Sequence, residues 1–276
     1  MTALLYYRQS LFPQEELEAA QKYFDCYSSY LPVRQGDHVV ARYSMLPFYR
    51  DQERDISMLG GTLLNSYRDH RYVADLQNWY FDLEGLTPKT WFRLEDLPDD
   101  DTTCYVLKGE TNSAKFLWST HCFARGKAAA IQVHSRLQED SLISYQNIYI
   151  REFVMLHNYM VALHGLPISK EFRFFIYKGK ILSGAFYWSS HLEEIAETPK
   201  ASEVPTVFLQ KVMDRVGDNV PFYVVDVAQT ASGDWIVIEL NDGQQSGLSC
   251  NDPNVLYENL RIQIDDDSAR DSIRCG

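Results

Sequence analysis

The pattern of apolar and polar positions divides the chain near residue 100. Before that point, FPQEELEAAQKYFDCYSSYL indicates a helix with an acidic first turn, and HVVARYSML indicates a short strand. GGTLLNSYRDHRYVADLQNWYFDL begins as a strand and continues as a helix, because its apolar residues recur at spacings of three and four: Tyr72, Leu76, Trp79, Tyr80 and Leu83. Another strand is expected after Pro88. Residues 1–100 are therefore predicted to form a small α/β domain.

From residue 103 onward the pattern is dominated by strands. TCYVLKG and NIYIREFV each predict one strand, whereas EFRFFIYKGKILSGAFYW and FYVVDVAQTASGDWIVIEL each predict two strands joined by a turn. SAKFLWSTHCFARGKAAAIQVHSRL is expected to be mostly helical, and VPTVFLQKVMDRVGDN indicates a helix. Residues 101–265 are thus predicted to be an α+β domain without regular βαβ alternation. Residues 266–276 are expected to be a flexible tail.

Composition and charge narrow the class of protein. The net charge of −12 argues against a general nucleic-acid binder, and the 45% hydrophobic content supports a sizeable core. No signal peptide and no apolar run of about 20 residues is evident, so no membrane segment is expected. The five cysteines include no CxxC pair, which is typical of free thiols in a reducing compartment and argues against a zinc site. We therefore expect a cytoplasmic protein.

Two acids and an amide stand in the last pair of predicted strands. Asp226 and Glu239 lie at similar distances from the turn near Ser232, so they are expected to be neighbours on adjacent strands. Asn241 follows Glu239 by two residues and points to the same face. Oxygen ligands of this kind suit Mg²⁺ bound together with phosphate. The alternative is that each acid pairs with an arginine.

A candidate phosphate site follows the first strand of the second half. Lys108 ends the apolar strand YVLKG, and Gly109, Thr111, Asn112 and Ser113 follow it as a small polar loop. Backbone N–H groups of such a loop can cover phosphate oxygens. The alternative is a lysine that is simply solvated.

Two further strands carry candidate nucleotide contacts. NIYIREFV continues into a loop whose N–H and C=O groups could read an adenine edge, whereas Arg151 and Glu152 could instead form a surface pair. Glu171 and Arg173 lie two apart, hence on one face of a strand, where an acid can take ribose hydroxyls and an arginine can hold phosphate. A mutual or cross-strand ion pair is the alternative for these two residues.

In this order, the pieces VLKGETNS, IREFV, EFR and D…E-x-N resemble the ATP-grasp superfamily over roughly residues 40–260, and in particular its arginine–lysine exchange clade. The resemblance implies an ATP-grasp fold in which two α+β subdomains grip ATP after a small pre-ATP-grasp α/β domain. It implies that Lys108 contacts the α- and β-phosphates, that Glu171 binds ribose, and that Mg²⁺ is held by Asp226, Glu239 and Asn241. It further implies that a flap covers the phosphates, formed by Gly109, Glu110, Thr111, Asn112 and Ser113. It also implies that a hinge reads adenine, formed by Glu152, Phe153 and Val154.

The sequence departs from the family pattern at two positions. Arg71 stands where a second phosphate lysine is usual, and Trp188 stands where relatives tend to carry an arginine. Arg71, Arg173 and Lys108 are the candidates for offsetting charge on the transferred phosphoryl group. Candidate contacts with the acceptor substrate lie at a strand end and in the run after the metal ligands: Arg42, Gln244, Gln245 and Ser246.

The resemblance implies an ADP-forming ligase that uses ATP and Mg²⁺ to join a carboxylate to an amine or thiol through an acyl phosphate. Amino acids, peptides or a protein tail are the expected substrates by analogy. Two alternatives stay open at this point. One is phosphoryl transfer to a hydroxyl, and the other is a nucleotide-sensing module without turnover.

Overall fold

The computed structural model describes residues 3–111 and 113–274. The N-terminal part of the chain forms a four-stranded parallel sheet. Its strands, in the order β2-β1-β3-β4, are β1 Ala3–Tyr7, β2 Asp25–Tyr27, β3 His38–Arg42 and β4 Thr62–Leu63. Parallel neighbours need crossovers, which are supplied in part by α1 Gln14–Ala20 and α2 Tyr49–Met58. Leu5 and Val40 pack on one face of this sheet and Leu4 and Val39 on the other, as expected of a parallel sheet covered on both sides.

A second sheet is antiparallel and has the order β5-β8-β6-β7. Its strands are β5 Thr90–Trp91, β6 Cys104–Gly109, β7 Phe123–Arg125 and β8 Ile148–Glu152. Tyr105, Leu107 and Ile150 pack against α5 Gly126–Glu139. Because side chains alternate along a strand, Lys108 and Arg151 lie on the opposite face.

A third sheet, also antiparallel, has the order β12-β11-β13-β14. It follows a hairpin of β9 Asn158–Val161 and β10 Pro167–Ser169 and consists of β11 Glu171–Tyr177, β12 Lys180–Phe186, β13 Phe222–Gln229 and β14 Trp235–Asp242. One face packs on three helices: α3 Tyr67–Ala74, α4 Leu76–Trp79 and α6 Thr206–Val216. The other shares a core with the first sheet, α1 and α7 Pro253–Arg274. The predicted α+β class is confirmed.

The structure differs from the sequence prediction in three segments. The first helix ends at Ala20, and Asp25–Tyr27 becomes an edge strand. The segment Lys115–Cys122 forms short 3₁₀ and π turns instead of a regular helix. Residues 266–274, expected to be a flexible tail, continue α7.

Asp267, near the start of this last segment, bonds residues of β11 and of the turn after it, and the aspartate just before the segment pairs within α7. Asp267 accepts hydrogen bonds from Lys178 (2.6 Å) and Tyr177 (3.0 Å), and Asp265 pairs with Arg261 one turn earlier. The tail residues 275–276 lie outside the described part of the chain. Among the described residues, no helix has both the length and the apolar character needed to cross a membrane.

Candidate active site

A cleft of about 940 Å³, including its open mouth, lies between the second and third sheets. The second sheet contributes Val106, Lys108, Arg151 and Glu152, and the third sheet contributes Glu171, Ile236, Ile238 and Glu239. The turns between β6 and β7 add Ser113, Lys115, Trp118 and Cys122, and Trp188 comes from the chain after β12.

The predicted pairing of the two acids is observed. Asp226 lies directly opposite Glu239 in the register of β13 and β14. Glu239 and Asn241 line a smaller cavity of about 200 Å³, including open space at its mouth, beside the cleft and together with Lys108. The D…E-x-N pattern thus places Glu239 and Asn241 at one small cavity.

Asp226 has a different environment from Glu239. It is fully buried, and its two oxygens accept hydrogen bonds from Nε and Nη2 of Arg173 at 2.9 and 2.7 Å. Arg173 stands opposite Asp226 on the neighbouring strand, so the ion pair is fixed by register. For Asp226, the arginine pairing considered from the sequence is therefore what the structure shows.

Glu239 forms an ion pair with Lys108, whose Nζ lies 2.6 Å from Oε2. Burial works against ionisation, but the ammonium groups of Lys108 and Lys115 hold the pKa of Glu239 well below its usual range. Glu239 is therefore ionised at neutral pH. In the part of the chain that the structure describes, no group of three or more His, Cys, Asp or Glu residues is arranged to hold a metal.

The predicted flap divides between the two cavities. Ser113 lines the cleft, Glu110 and Thr111 line the smaller cavity, and Gly109 ends β6. Asn112 lies outside the described residues. Lys108 lines both cavities, as expected for a lysine at the end of this strand.

Arg71 contacts the flap and does not line the cleft. Its guanidinium lies 2.7 Å from Oε1 of Glu110 and 3.1 Å from Oδ2 of Asp75. The side chain is 38% exposed. Arg71 thus joins α3 to the start of the flap, and its predicted role at phosphate remains a prediction.

Lys115 is the cation that the sequence reasoning missed. Its Nζ donates a hydrogen bond to Tyr187 Oη at 3.2 Å and lies 4.8 and 5.3 Å from the ring centres of Tyr187 and Trp188. Although burial opposes the charged form, the Tyr187 oxygen and the carboxylates of Glu171 and Glu239 raise the pKa of Lys115. Its only sequence signal was a second lysine shortly after the flap.

Trp188, noted as a departure from the family pattern, contacts the ammonium of Lys115 through its ring. The indole Nε1 of Trp188 is buried and has no hydrogen-bond partner among the described residues. The ammonium of Lys115 lies over the same ring. Lys115 thus lies beside Trp188, the residue that the sequence analysis singled out as a departure from the family pattern.

Glu171 is buried in the cleft, and only one of its two carboxyl oxygens has a hydrogen-bond partner among the described residues. Oε2 accepts a hydrogen bond from Ser169 at 3.2 Å, and Oε1 has no partner among the described residues. Burial raises the pKa of Glu171 to about 7. Glu171 does not pair with Arg173, and its contact with ribose remains a prediction.

The predicted hinge lies at the cleft, but two of its backbone N–H groups already donate hydrogen bonds within the protein. Glu152, Phe153 and Val154 all line the cleft. The N–H groups of Glu152 and Phe153 donate to the carbonyls of Lys89 and Cys104, each at 2.8 Å. Arg151, for which a surface pair with Glu152 was considered, is instead buried.

The residues predicted to contact the acceptor are not brought to the cleft. Arg42 is fully buried, and its guanidinium bonds Glu16 (2.6 Å), Tyr257 (3.0 Å), Tyr43 (2.7 Å) and the carbonyl of Gly243. Every nitrogen of the guanidinium therefore has a partner inside the protein. The end of β3 is covered by α1, α7 and the loop after β14.

Hydrogen bonds in the same region, near the end of β3, also occupy Gln244, Gln245 and Ser246. Gln244 is fully buried, accepts from the N–H of Ala41 and donates to Tyr49 Oη. Gln245 donates to the carbonyl of Ala41 and Ser246 to that of Asp242. Gln244 and Gln245 thus join the loop after β14 to β3, and Ser246 closes the loop on the end of β14.

Asp242 completes this buried arrangement. It accepts hydrogen bonds from Asn65 (2.7 Å) and Tyr49 (3.2 Å) and contacts Nδ1 of His70 at 3.0 Å. We call the whole set the junction network: Glu16, Arg42, Tyr43, Tyr49, Asn65, His70, Asp242, Gln244 and Tyr257. It joins the first sheet, α1, α3 and α7 to the end of β14.

Comparison with known families and structures agrees with this architecture. The model for family 3 of the arginine-to-lysine clade of ATP-grasp domains matches residues 97–260. That range contains the second and third sheets except β5, and most of the residues around both cavities. No curated protein matches the chain in sequence.

Solved structures similar to this chain include three with ATP-grasp or ligase descriptions. D-cycloserine synthetase DcsG shares 13% identity with a TM-score of 0.58, covering 95% of this chain and 99% of that one. ATP-grasp ligase PsnB in complex with its minimal precursor, Mg and ADP shares 11% identity with a TM-score of 0.59, covering 95% and 97%. A RimK domain ATP-grasp protein from Sphaerobacter thermophilus DSM 20745 shares 15% identity with a TM-score of 0.55, covering 93% and 98%. At these identities the similarity shows a shared fold.

Proposed function

The chain belongs to family 3 of the arginine-to-lysine clade of ATP-grasp domains, and on that premise we propose that it is an ATP- and Mg²⁺-dependent, ADP-forming ligase. It joins a carboxylate to an amine, or to a thiol, through an acyl phosphate. The cleft between the second and third sheets is the nucleotide site, and the smaller cavity beside Glu239 and Asn241 lies at the end where the phosphoryl group is transferred.

One observation carries the proposal: two cations line the cleft without an ion-pair partner among the described residues, the partly exposed Lys115 and the buried Arg151. Lys115 and Arg151 line the cleft, and neither lies within ion-pair distance of a carboxylate among the described residues. A buried charge without a partner is costly, so the site is built for a ligand that brings negative charge. A triphosphate supplies that charge, and its ribose supplies donors for the free oxygen of Glu171.

The residues at the smaller cavity fit a magnesium ion with few protein ligands. Mg²⁺ is usually held by one or two carboxylates together with substrate phosphates and water. Glu239 and Asn241 offer oxygens at this cavity, whereas Asp226 is engaged on both oxygens by Arg173. Glu239 and Asn241 would therefore hold the metal first. When bound, Mg²⁺ would supply charge neutralisation at the phosphate oxygens.

The chain's own residues supply positioning and charge for phosphoryl transfer. A substrate carboxylate oxygen attacks the γ-phosphorus and ADP leaves; the amine then attacks the acyl carbon, loses a proton and displaces phosphate. Such a reaction depends on orientation and on neutralising the equatorial oxygens. Among the described residues, Lys108 and Lys115 are the ammonium groups that line the cleft, whereas Arg173 does not line it and is paired with Asp226.

Peptides and amino acids are the proposed substrate class. PsnB is described in complex with a precursor peptide and AMPPNP, and a D-alanine–D-alanine ligase from Coxiella burnetii is also similar in fold, with 13% identity and a TM-score of 0.53 over 86% of this chain and 72% of that one. Both descriptions concern amino-acid or peptide substrates. We extend that class to this chain.

The pairing of Asp226 with Arg173 favours one other candidate, a nucleotide sensor that binds ATP without turnover. With Asp226 engaged, only two predicted metal ligands remain at the smaller cavity. Release of ADP in the presence of a carboxylate and an amine distinguishes the ligase from the sensor. ADP formation without an amide would instead indicate phosphoryl transfer to a hydroxyl.

The test is isothermal titration of ATP with and without Mg²⁺. The wild type should bind ATP more tightly with Mg²⁺, and the double variant Glu239→Gln, Asn241→Ala should lose that difference. The surface variant Glu193→Gln serves as the control and should behave as wild type, because Glu193 is exposed and lies outside both cavities. A folded wild type that binds no ATP would overturn the proposal.

A further inference from the structure

Tyr187 directly follows the last residue of β12, where the chain leaves the third sheet. Its backbone N–H donates to the carbonyl of Glu171 at 2.9 Å, which continues the pairing of β11 with β12 by one more residue. The ring of Trp188 packs against the ring of Tyr187 at 81°, with the ring centres 5.0 Å apart. The tyrosine is therefore held by a regular strand and by an aromatic neighbour.

Lys115, in contrast, lies in the irregular turns between β6 and β7, where it begins the 3₁₀ turn Lys115–Leu117. A lysine has a long flexible stem, so a turn of this kind does not determine where the ammonium lies. Among the described residues, Nζ of Lys115 makes one hydrogen bond, to Tyr187 Oη at 3.2 Å. A residue of the third sheet thus sets the position of a cation that comes from the turns of the second sheet.

The bond to Tyr187 leaves most of the hydrogen-bonding capacity of Lys115 for a ligand. An ammonium has three N–H donors, and Tyr187 takes one of them. Lys115 lines the cleft, whereas Tyr187 does not. The ammonium interacts electrostatically with both Glu171 and Glu239, so it lies close to the part of the cleft where the triphosphate of the proposed ligand would extend. Tyr187 would therefore act on that ligand through Lys115.

The ring of Tyr187 also contacts a second cation. Cζ of Arg173 lies 4.9 Å from the centre of the ring, and Nζ of Lys115 lies 4.8 Å from it. Cations are attracted to the faces of aromatic rings, so the ring favours the presence of both. Arg173 is also paired with Asp226, whereas the hydroxyl of Tyr187 bonds Lys115. Removing the hydroxyl while keeping the ring therefore separates the effect on Lys115 from the effect on Arg173.

We propose that Tyr187 is a positioning residue, whose hydroxyl holds the Lys115 ammonium so that its remaining N–H groups meet the phosphates of the bound nucleotide. A side chain that is already held in place loses less conformational entropy when the ligand binds. This inference rests on the proposed function, because it takes the cleft to be a nucleoside triphosphate site. It assigns control of phosphate binding to a residue that does not itself line the cleft.

The variant Tyr187→Phe tests the proposal, because phenylalanine keeps the ring and lacks the hydroxyl. With Mg²⁺ present, this variant should bind ATP about 3- to 10-fold more weakly than the wild type, as expected for the loss of one hydrogen bond. In a Lys115→Met background, the same change should alter ATP affinity by less than about twofold, because no ammonium is left to position. Tyr145→Phe is the matched control and should bind ATP as the wild type does, since Tyr145 is 93% exposed and lies outside both cavities.

The possible results separate this inference from the proposed function. Equal losses of ATP affinity in the two backgrounds would give Tyr187 a structural role and would overturn the inference. An unchanged affinity in the single variant would do the same. Both results leave the ligase proposal intact, because the wild type binds ATP in each case. A folded wild type that binds no ATP would overturn both.

The mobility of lysine side chains in the nucleotide-free wild type tests the same claim without a change at Tyr187. In NMR relaxation of a chain with isotope-labelled lysine ε-methylene groups, the order parameter of Lys115 should be well above that of Lys211, which is exposed on α6. Lys115→Met and Lys211→Met identify the two signals. A Lys115 methylene group as mobile as that of Lys211 would contradict the proposal, whether or not Tyr187→Phe folds.

Discussion

The protein contains two clusters of buried polar residues, the cleft and the junction network, and their hydrogen bonding differs sharply. In the junction network, Arg42 uses every guanidinium nitrogen and Asp242 uses both oxygens. In the cleft, Arg151 Nε, Glu171 Oε1 and Trp188 Nε1 have no partner among the described residues. Both clusters lie near the end of β14, so location alone does not separate them.

The difference separates polar groups that the fold itself satisfies from polar groups of the cleft that it leaves without a partner among the described residues. Folded proteins satisfy nearly all their buried polar groups, and each exception calls for an explanation. Three of the five unpartnered buried side-chain atoms found among the described residues belong to residues that line the cleft. A ligand that supplies an acceptor and donors would satisfy them. The junction network needs nothing from outside.

The largest expected effect comes from breaking the junction network. Arg42→Leu should lower the free energy of unfolding by about 3–5 kcal/mol, because Glu16 stays buried after losing its cation. ATP affinity of the folded variant should be unchanged, since no residue of the network lines the cleft. Urea denaturation measures the first quantity and ATP titration in the absence of urea measures the second.

Two further variants separate charge pairing from other causes in that experiment. Adding Glu16→Leu to Arg42→Leu should restore much of the lost stability, because replacing both members of a buried pair by apolar residues is often neutral. Arg68→Leu, an exposed change on α3, should shift the free energy of unfolding by less than about 0.5 kcal/mol. A strong loss of ATP affinity in the single variant would mean that the two clusters are not separate.

A smaller effect, opposite in kind, is expected from Lys115→Met in the cleft. ATP affinity should fall about 10- to 100-fold, because a hydrogen bond from a charged group contributes about 1.5–3 kcal/mol. The free energy of unfolding should change by less than about 1.5 kcal/mol, because Nζ makes one hydrogen bond, to Tyr187 Oη, and forms no ion pair among the described residues. Methionine keeps the unbranched stem that packs against the rings of Tyr187 and Trp188.

Titration of ATP and urea denaturation of the same preparation check both parts of this prediction. Lys211→Met on α6 is the control, because Lys211 is exposed and does not line either cavity. A stability loss at Lys115 with unchanged ATP affinity would assign this lysine to structure and would blur the distinction between the two clusters.

Local pattern predicted the parts of the site that depend on neighbouring strands. Asp226 and Glu239 were expected to face each other because their hairpin is short, and they do. The end of β6 placed Lys108 at the cleft for a similar reason. In these cases the contact is decided within one strand or one hairpin.

What the sequence missed depends on contacts between distant segments. An arginine partner for Asp226 was left as an alternative, because Arg173 reaches it only through the pairing of β11 with β13, 53 residues apart. Arg42 and Gln244 looked like exposed strand-end residues, but α1, α7 and β3 cover them. Lys115 lies in short 3₁₀ and π turns, where no periodic pattern reveals the direction of a side chain.

The smallest and most specific test of the comparison is the pH dependence of stability at Glu171. Burial raises the folded pKa to about 7 from the usual value of 4.5, so the folded chain holds a proton that the unfolded chain releases between these values. The stabilising contribution of Glu171 is thus complete below about pH 4.5 and is lost as the pH rises through about 7, with a slope of at most ~1.4 kcal/mol per pH unit.

Glu171→Gln cannot titrate, so the wild type should lose stability relative to this variant as the pH is raised from about 5 to about 7. Urea denaturation at several pH values measures that difference, which should become constant above about pH 7. A difference that grows in favour of the wild type with rising pH would mean that the Glu171 carboxylate is satisfied inside the protein, as the acids of the junction network are, and does not await a ligand.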